Sequence, residues 1–245
     1  MSTIKTPDHL FHLLRKKAVD GSLVPGTKLP SERRLSGEYN VSRTTVREAI
    51  NRLEQLGLVT SIPKSGTFVN NFETDASMDL LISIMRSGEP VSSETLVSLV
   101  EFRRLAELYA VRRAMSGISR EDVDLLRGFV DTMKENADSP EVLSEIDFRI
   151  HFAFVRIARN MVIQLMFNSF KPVYRYYTDF FYRLDGASAE AVRLHERLIE
   201  ALASEDAEYA VYAMERVLLY GENRLKEALG ISEKSTLVSI PSDRI

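Results

Sequence analysis

Val41-Ser-Arg-Thr-Thr-Val-Arg-Glu-Ala-Ile50, continued by Leu53-Glu-Gln-Leu-Gly-Leu-Val59, decides the fold of the first third of the chain. Ser42 is an N-cap residue type, and Val46, Ala49, Ile50 and Leu53 recur at helical spacing behind it. That spacing turns an apolar stripe inward and leaves Arg43, Thr44, Arg47 and Asn51 on another face. Upstream, Leu10, Leu13, Leu14 and Ala18 mark a helix over 6–20, which Gly21, Pro25 and Gly26 end. Ser31 opens a short second helix, and Asn40 closes it. Downstream, Gly57 stops the third helix as a C′ glycine. Two β-like runs, Leu58–Ile62 and Thr67–Asn70, flank the turn Pro63-Lys64-Ser65-Gly66. Three helices followed by a hairpin predict a winged helix-turn-helix over residues 1–71.

Charge supports a division of labour. The 245 residues carry 32 Lys and Arg against 35 Asp and Glu, a net charge of −3. Residues 1–70 balance at +5 and the remainder at −8, so only the first part is suited to meet a polyanion. The absence of cysteine excludes a disulfide scaffold, a Cys-ligated metal and a cysteine nucleophile. The first 30 residues contain no apolar run of the signal-peptide kind, and no run approaches the length of a membrane span. The expected compartment is the cytoplasm, with no membrane partner.

Beyond residue 71 nothing reads as strand. A polar stretch over 72–77 reads as a linker. Helical patterns follow over 78–87, 92–116, 120–136, 140–158, 161–184, 189–203 and 206–229. Helix-start residues stand at Ser93, Ser119, Ser139-Pro140-Glu141, Ser188 and Ser204, and Pro172 is expected to kink the fifth helix. The chain is thus expected to be mainly α, with a C-terminal bundle of about seven helices over 78–230. The tail 231–245 has no periodicity and is expected to lack regular structure.

The chemistry of the first block suits DNA. Arg43 and Arg47 are four residues apart and share a face that can enter a major groove. Arg reads guanine with two hydrogen bonds, and Thr reaches a phosphate or a thymine methyl. Lys64 and Gly66 sit at the hairpin tip, where a wing would meet the minor groove.

Gly21-Ser-Leu-Val-Pro-Gly-Thr-Lys-Leu-Pro-Ser-Glu-Arg33, the two stretches quoted above and Gly66-Thr-Phe-Val69 together resemble the DNA-binding domain of the GntR family of bacterial transcription regulators. The resemblance runs in register over nearly all of residues 10–70. It implies DNA contacts by Arg33, Ser42, Arg43, Thr44, Thr45, Arg47, Lys64 and Gly66.

The second block is similar to the all-helical FCD ligand domain of the FadR-like subfamily. The words that carry this are Glu101-Phe-Arg103 with Glu107, Asp147-Phe-Arg-Ile-His151, Ala158-Arg-Asn160, and His195 with Ala201. The resemblance implies metal ligands at Asp147, His151 and His195. Asp147 and His151, at i and i+4, project from one helix face, and a carboxylate with imidazoles suits zinc, nickel or manganese. The family has a further His at the position of Val217, so three outcomes stay open, one of them a metal held only with low affinity. Three ligands hold one divalent ion with water or effector completing the shell, or the pocket binds effector alone. By resemblance Arg103 faces the pocket, where its planar fork suits a small carboxylate effector; pairing with an acidic side chain inside the bundle is the competing reading. The aromatic run Tyr174, Tyr176, Tyr177, Phe180, Phe181 and Tyr182 is assigned no function.

The resulting expectation is a homodimeric, metabolite-responsive regulator, a repressor reading a pseudo-palindromic operator on double-stranded DNA. Its helical domain binds the effector and dimerises. Two alternatives are a metal-dependent hydrolase built on Asp147, His151 and His195, for which no general base declares itself, and an effector-independent DNA-binding protein.

Overall fold

The computed structural model describes residues 7–87 and 93–231. Two compact units divide the chain, Met1–Ser83 and Ile84–Ile245. No helix among the described residues is long and apolar enough to cross a membrane.

The first unit holds α1 (Pro7–Val19), α2 (Glu32–Tyr39), α3 (Arg43–Gln55), β1 (Val59–Ile62), β2 (Gly66–Val69), α4 (Phe72–Asp75) and most of α5 (Met78–Arg86). α1 packs on α3. Leu10, Leu14, Val46, Ala49 and Leu53 are fully buried between the elements of this unit. Each large apolar side chain so buried contributes about 1.5–3 kcal/mol, enough for the stripe to fix which face of α3 turns outward. Caps set the ends. The Ser31 hydroxyl accepts from the Arg34 N–H (3.3 Å), Asn40 closes α2 in the left-handed conformation, and the Ser42 hydroxyl accepts from the Thr45 N–H (3.0 Å). β1 and β2 pair antiparallel from Val59↔Val69 to Ile62↔Gly66, and Lys28 bridges Phe68 on the open edge. Gly57 has φ +75°, and a Cβ there would lie 2.2 Å from the carbonyl oxygen of Asp75. Only glycine fits that approach.

The stretch 72–77, read as a linker, contains the one-turn α4, which Asn71 caps by accepting from the Glu73 N–H at 3.2 Å. Its polar residues are cap residues. α5, read as the first helix of the bundle, begins inside the first unit. Arg15 is fully buried and donates to the carbonyl and hydroxyl oxygens of Ser83 at 2.5 and 2.7 Å. A buried side-chain-to-backbone bond of this kind leaves no trace in periodicity.

The second unit comprises α6 (Ser93–Ala114), α7 (Arg120–Glu135), α8 (Pro140–Ile157), α9 (Met161–Tyr182), α10 (Ala187–Ala203) and α11 (Ala207–Ala228). α8 is packed by α6, α7 and α9; α10 packs on α7 and α11, and α11 on α6. α8 is accordingly buried on more than one face, through Leu143, Ile146, Phe148, Ile150 and Phe154, and Asp147 and His151 are buried among them.

Start signals fared unevenly. Ser119 forms a full capping box with Asp122. Ser139 makes no side-chain cap bond, and Pro140 occupies the first turn instead. Ser188 is not a cap: Gly186, at φ +73°, reverses the chain and α10 begins at Ala187. Ser204 ends α10, and Asp206 caps α11 by accepting from the N–H groups of Glu208 and Tyr209. α9 continues as one helix through Pro172. The tail expected over 231–245 lies, from residue 232, outside the described residues.

Candidate functional site

In the first unit, every residue expected to meet DNA except Thr45 and Gly66 is exposed, and those two are partly so. Arg33 stands in the first turn of α2, Arg43, Thr44, Thr45 and Arg47 in the first two turns of α3, and Lys64 and Gly66 in the wing. The Ser42 and Thr45 hydroxyls lie 2.9 Å apart, so both residues serve the cap of α3 as well as its outward edge. Arg47 is not free-standing. Its Nε and one terminal nitrogen donate to the two carboxylate oxygens of Glu32, at 3.1 and 2.8 Å. The partner comes from α2, fifteen residues away, at a distance no local pattern predicts. Lys28, not singled out from the sequence, packs its side chain across Gly66, whose φ is +124°. With Lys64 it makes the wing doubly cationic.

In the second unit α6, α8, α9 and α10 bring seven polar side chains together. Asp147 and His151 come from α8, His195 from α10, Arg103 and Glu107 from α6, and Tyr174 and Tyr182 from α9. The three expected metal ligands are all buried and present ligand atoms within 4.8 Å of one another. Nε2 of His151 lies 3.3 Å from Nε2 of His195, 3.8 Å from Oδ1 of Asp147; His195 Nε2 is 3.7 Å from Oδ2.

Hydrogen bonds fix which ring nitrogens face inward. His195 Nδ1 donates to the carbonyl of Ala191 at 2.7 Å, and His151 Nδ1 donates to the Glu107 carboxylate. Each ring thus turns its Nε2 toward the other, the outer-shell arrangement that orients metal-binding imidazoles. Two nitrogens held at a tetrahedral angle by an ion at about 2.0–2.1 Å stand about 3.4 Å apart, so the donor set fits a small divalent cation. Val217 lines the space beside this cluster and offers no donor. That space, bounded also by Arg103, Asp147, Tyr182, His195 and Tyr220, has a free volume of about 20 Å³, room for a water or an ion.

Electrostatics follow from burial. Burial favours the neutral form of His195 and brings its pKa down to about 4, against the pull of Asp147. Burial alone would raise the Asp147 carboxyl, but His151, Arg103 and His195 outweigh it and hold the group below the usual carboxylate range. Glu107 is lowered in the same way, burial being overcome by Arg103 and His151. Tyr174 and Tyr182 are raised, first by burial, and both donate to Asp147, Tyr182 at 2.6 Å. The cluster therefore brings two carboxylates, one guanidinium and two imidazoles together in a buried space.

Arg103 is placed in this cluster, but its fork is already engaged. Nε donates to Glu107 at 2.7 Å, and one terminal nitrogen donates to Tyr174 at 2.7 Å and to His151 Nε2 at 3.3 Å. The competing reading of pairing inside the bundle is thus also realised. Sequence reasoning missed Tyr174 and Tyr182, since hydroxyls within an aromatic run carry no signal of what they will bind. Glu107 was visible as the i+4 neighbour of Arg103.

Comparison with known proteins places both units. Residues 6–69 match the bacterial regulatory proteins of the gntR family, and residues 98–219 match the FCD domain. The chain is 29% identical over 197 residues to proteins named fatty acid metabolism regulator protein from Escherichia coli O1:K1 and Shigella boydii serotype 18, covering 80% of each chain. Among solved structures, Lar, which controls expression of the Listeria monocytogenes agr system, superposes with a TM-score of 0.52 at 18% identity, over 93% of this chain and 98% of that one. That likeness supports the fold.

Proposed function

From the premise that the chain belongs to the GntR family and carries an FCD domain, we propose a homodimeric repressor that reads a pseudo-palindromic operator and is released by a small carboxylate. As a member of that family it is a metabolite-responsive DNA-binding transcription regulator and not an enzyme, which sets aside the hydrolase alternative. The proposed compartment is the cytoplasm.

The DNA-reading residues are Arg33, Ser42, Arg43, Thr44, Thr45, Arg47, Lys64 and Gly66, with Lys28 beside the wing. Their support is exposure, partial for Thr45 and Gly66, at the start of α2, on the outward edge of α3 and at the hairpin. The proposed metal ligands are Asp147, His151 and His195; a divalent ion there supplies a fixed positive centre for an anionic ligand. The observation that carries the effector reading is Arg103, a guanidinium largely buried beside that donor set with its partners in hydrogen-bond reach. The relatives' name concerns fatty acid metabolism; the free space of about 20 Å³ beside Arg103 holds a water or an ion, so an acid enters only as side chains move aside.

The test is a thermal-shift screen of organic acids on wild type and Arg103→Ala, followed by operator binding with each hit. An acid that stabilises wild type should bind Arg103→Ala weaker by about 2 kcal/mol or more, the scale of a charge-assisted bond and its orphaned partner. Arg103→Lys should recover part of this, keeping charge but losing the fork. Hits that are neutral, or acids that stabilise both proteins equally, refute the assignment.

A further inference from the structure

The wing carries a feature its fold does not need. Ile62 ends β1 at the hairpin tip and is 48% exposed, next to exposed Pro63 and Lys64. A single exposed isoleucine is ordinary; the surroundings make this one specific. The Ser65 N–H donates to the Ile62 carbonyl at 3.0 Å, closing a turn with Pro63 second and Lys64 third. Lys64 has φ +63°, as the third place of a type II turn requires, and that place favours glycine or asparagine. Lysine sits there against its backbone preference, and no hydrogen bond or ion pair among the described residues engages its ammonium. Strain of this kind gathers at functional positions. Pairing fixes the face that Ile62 shares. Ile62↔Gly66 and Thr60↔Phe68 are cross-strand pairs two residues apart, so their side chains stand on one face, opposite to buried Val59 and Val69. Lys28 bridges Phe68, and its side chain runs along this face to the tip, where a Cβ on Gly66 would collide with it. Gly66 thus leaves room for one ammonium beside Ile62, and Lys64 adds a second from the turn. Residues 55–72 contain no acidic side chain to neutralise them.

We propose that Ile62, set between these two ammonium groups, makes the wing a reader of A·T against G·C base pairs in the minor groove beside the site read by α3. This rests on the DNA-reading assignment given above and gives the wing a specificity of its own. In the minor groove adenine and thymine present only acceptors, N3 and O2, whereas guanine adds its 2-amino donor. Lysine only donates, and the side chains of isoleucine and proline form no hydrogen bond at all. Against this tip the guanine amino group loses its water and gains no acceptor, a cost that A·T pairs do not carry. A·T runs also narrow the groove and deepen its negative potential, which draws in cations and brings the sugar walls against an aliphatic side chain.

The probe is a DNA duplex selected from a randomised library by the full wild-type chain, its base pairs then changed one at a time. At one or more positions outside those that respond to Arg43→Ala and Arg47→Ala, replacing A·T by G·C should weaken binding about fivefold or more, the scale of one mismatched pair. Inosine·cytosine at the same position should restore it, because inosine keeps the major-groove face of guanine and lacks the 2-amino group. Ile62→Ser should bind the three duplexes nearly equally, while Ile62→Val keeps their order; melting curves report that both variants are folded. Lys64→Gly should melt higher, as the left-handed strain is relieved, yet bind more weakly, with a salt slope lower by about one contact. Equal binding of G·C and inosine·cytosine duplexes by wild type, discrimination that survives in Ile62→Ser, its abolition by Ser65→Ala instead, or undiminished binding by Lys64→Gly would each overturn the proposal. Base preferences that Arg43→Ala and Arg47→Ala leave wholly intact would strike the α3 assignment and let the wing stand on the inosine result. Indifference to the 2-amino group, with those preferences lost in the arginine variants, strikes the wing alone.

Discussion

Arg47 has two claims on its guanidinium, the carboxylate of Glu32 and DNA. Glu32 takes the edge formed by Nε and one terminal nitrogen. The opposite edge stays open and matches the two acceptors of guanine. An exposed pair like this contributes little to stability, so its consequence is orientation. Arg47→Ala is expected to cost about 1–3 kcal/mol of operator binding and to relax preference at one base position. Glu32→Gln should cost less, but lower the ratio of operator to random-sequence affinity, because the freed arginine can take a phosphate. Fluorescence anisotropy across a salt series separates these: the salt slope of random-sequence binding should steepen by about one contact in Glu32→Gln and not in Arg47→Ala. Another single-residue effect is the pH dependence that His195 imposes. Its folded-state pKa of about 4 lies below the unfolded value near 6.5, so the unfolded chain binds the extra proton first. Its contribution is fully present above pH 6.5 and is lost as pH falls toward 4, at up to about 1.4 kcal/mol per pH unit. Denaturant melts from pH 7 to 4.5 should show a loss that His195→Gln reduces.

Helices and turns are where sequence and structure can be weighed. α1, α2, α3 and the hairpin were legible because each boundary is set within a few residues: Ser31, Ser42 and Gly57 act on their own neighbours. Ser188 and Ser204 failed for the converse reason. Gly186 and Asp206 lie two residues from them and compete for the same job, and serine alone does not say which wins. The polar cluster was legible in part. Asp147 and His151 share a helix face by spacing, whereas Tyr174 and Tyr182 join them only because α9 packs on α8. Glu32, too, reaches Arg47 only once α2 lies against α3. At this scale the sharpest expectation concerns Gly57. Alanine there adds a left-handed strain and a Cβ 2.2 Å from a backbone oxygen that cannot swing aside. Gly57→Ala should destabilise the first unit by about 2–4 kcal/mol, read as an earlier unfolding transition, while Gly37→Ala, with open space around it, should not.

On the proposed reading, the assembled regulator connects an ion, an acid and DNA. Restoring a fourth side chain by Val217→His should tighten zinc, nickel or manganese, measured by elemental analysis after dialysis against a weak chelator. No metal in either protein, and no thermal shift on adding these ions, would remove the site. Arg103 gives the assembly a further property. Its terminal nitrogen rests on the very lone pair of His151 that a cation needs. An acid that draws the guanidinium onto itself uncovers that nitrogen, and an ion seated there dislodges the guanidinium toward the acid. If the proposed ion and acid both bind, each clears the other's seat, and thermodynamic reciprocity makes the two enhancements equal in size. On that reading the chain would act as a coincidence detector, reporting the acid only when the metal supply is adequate.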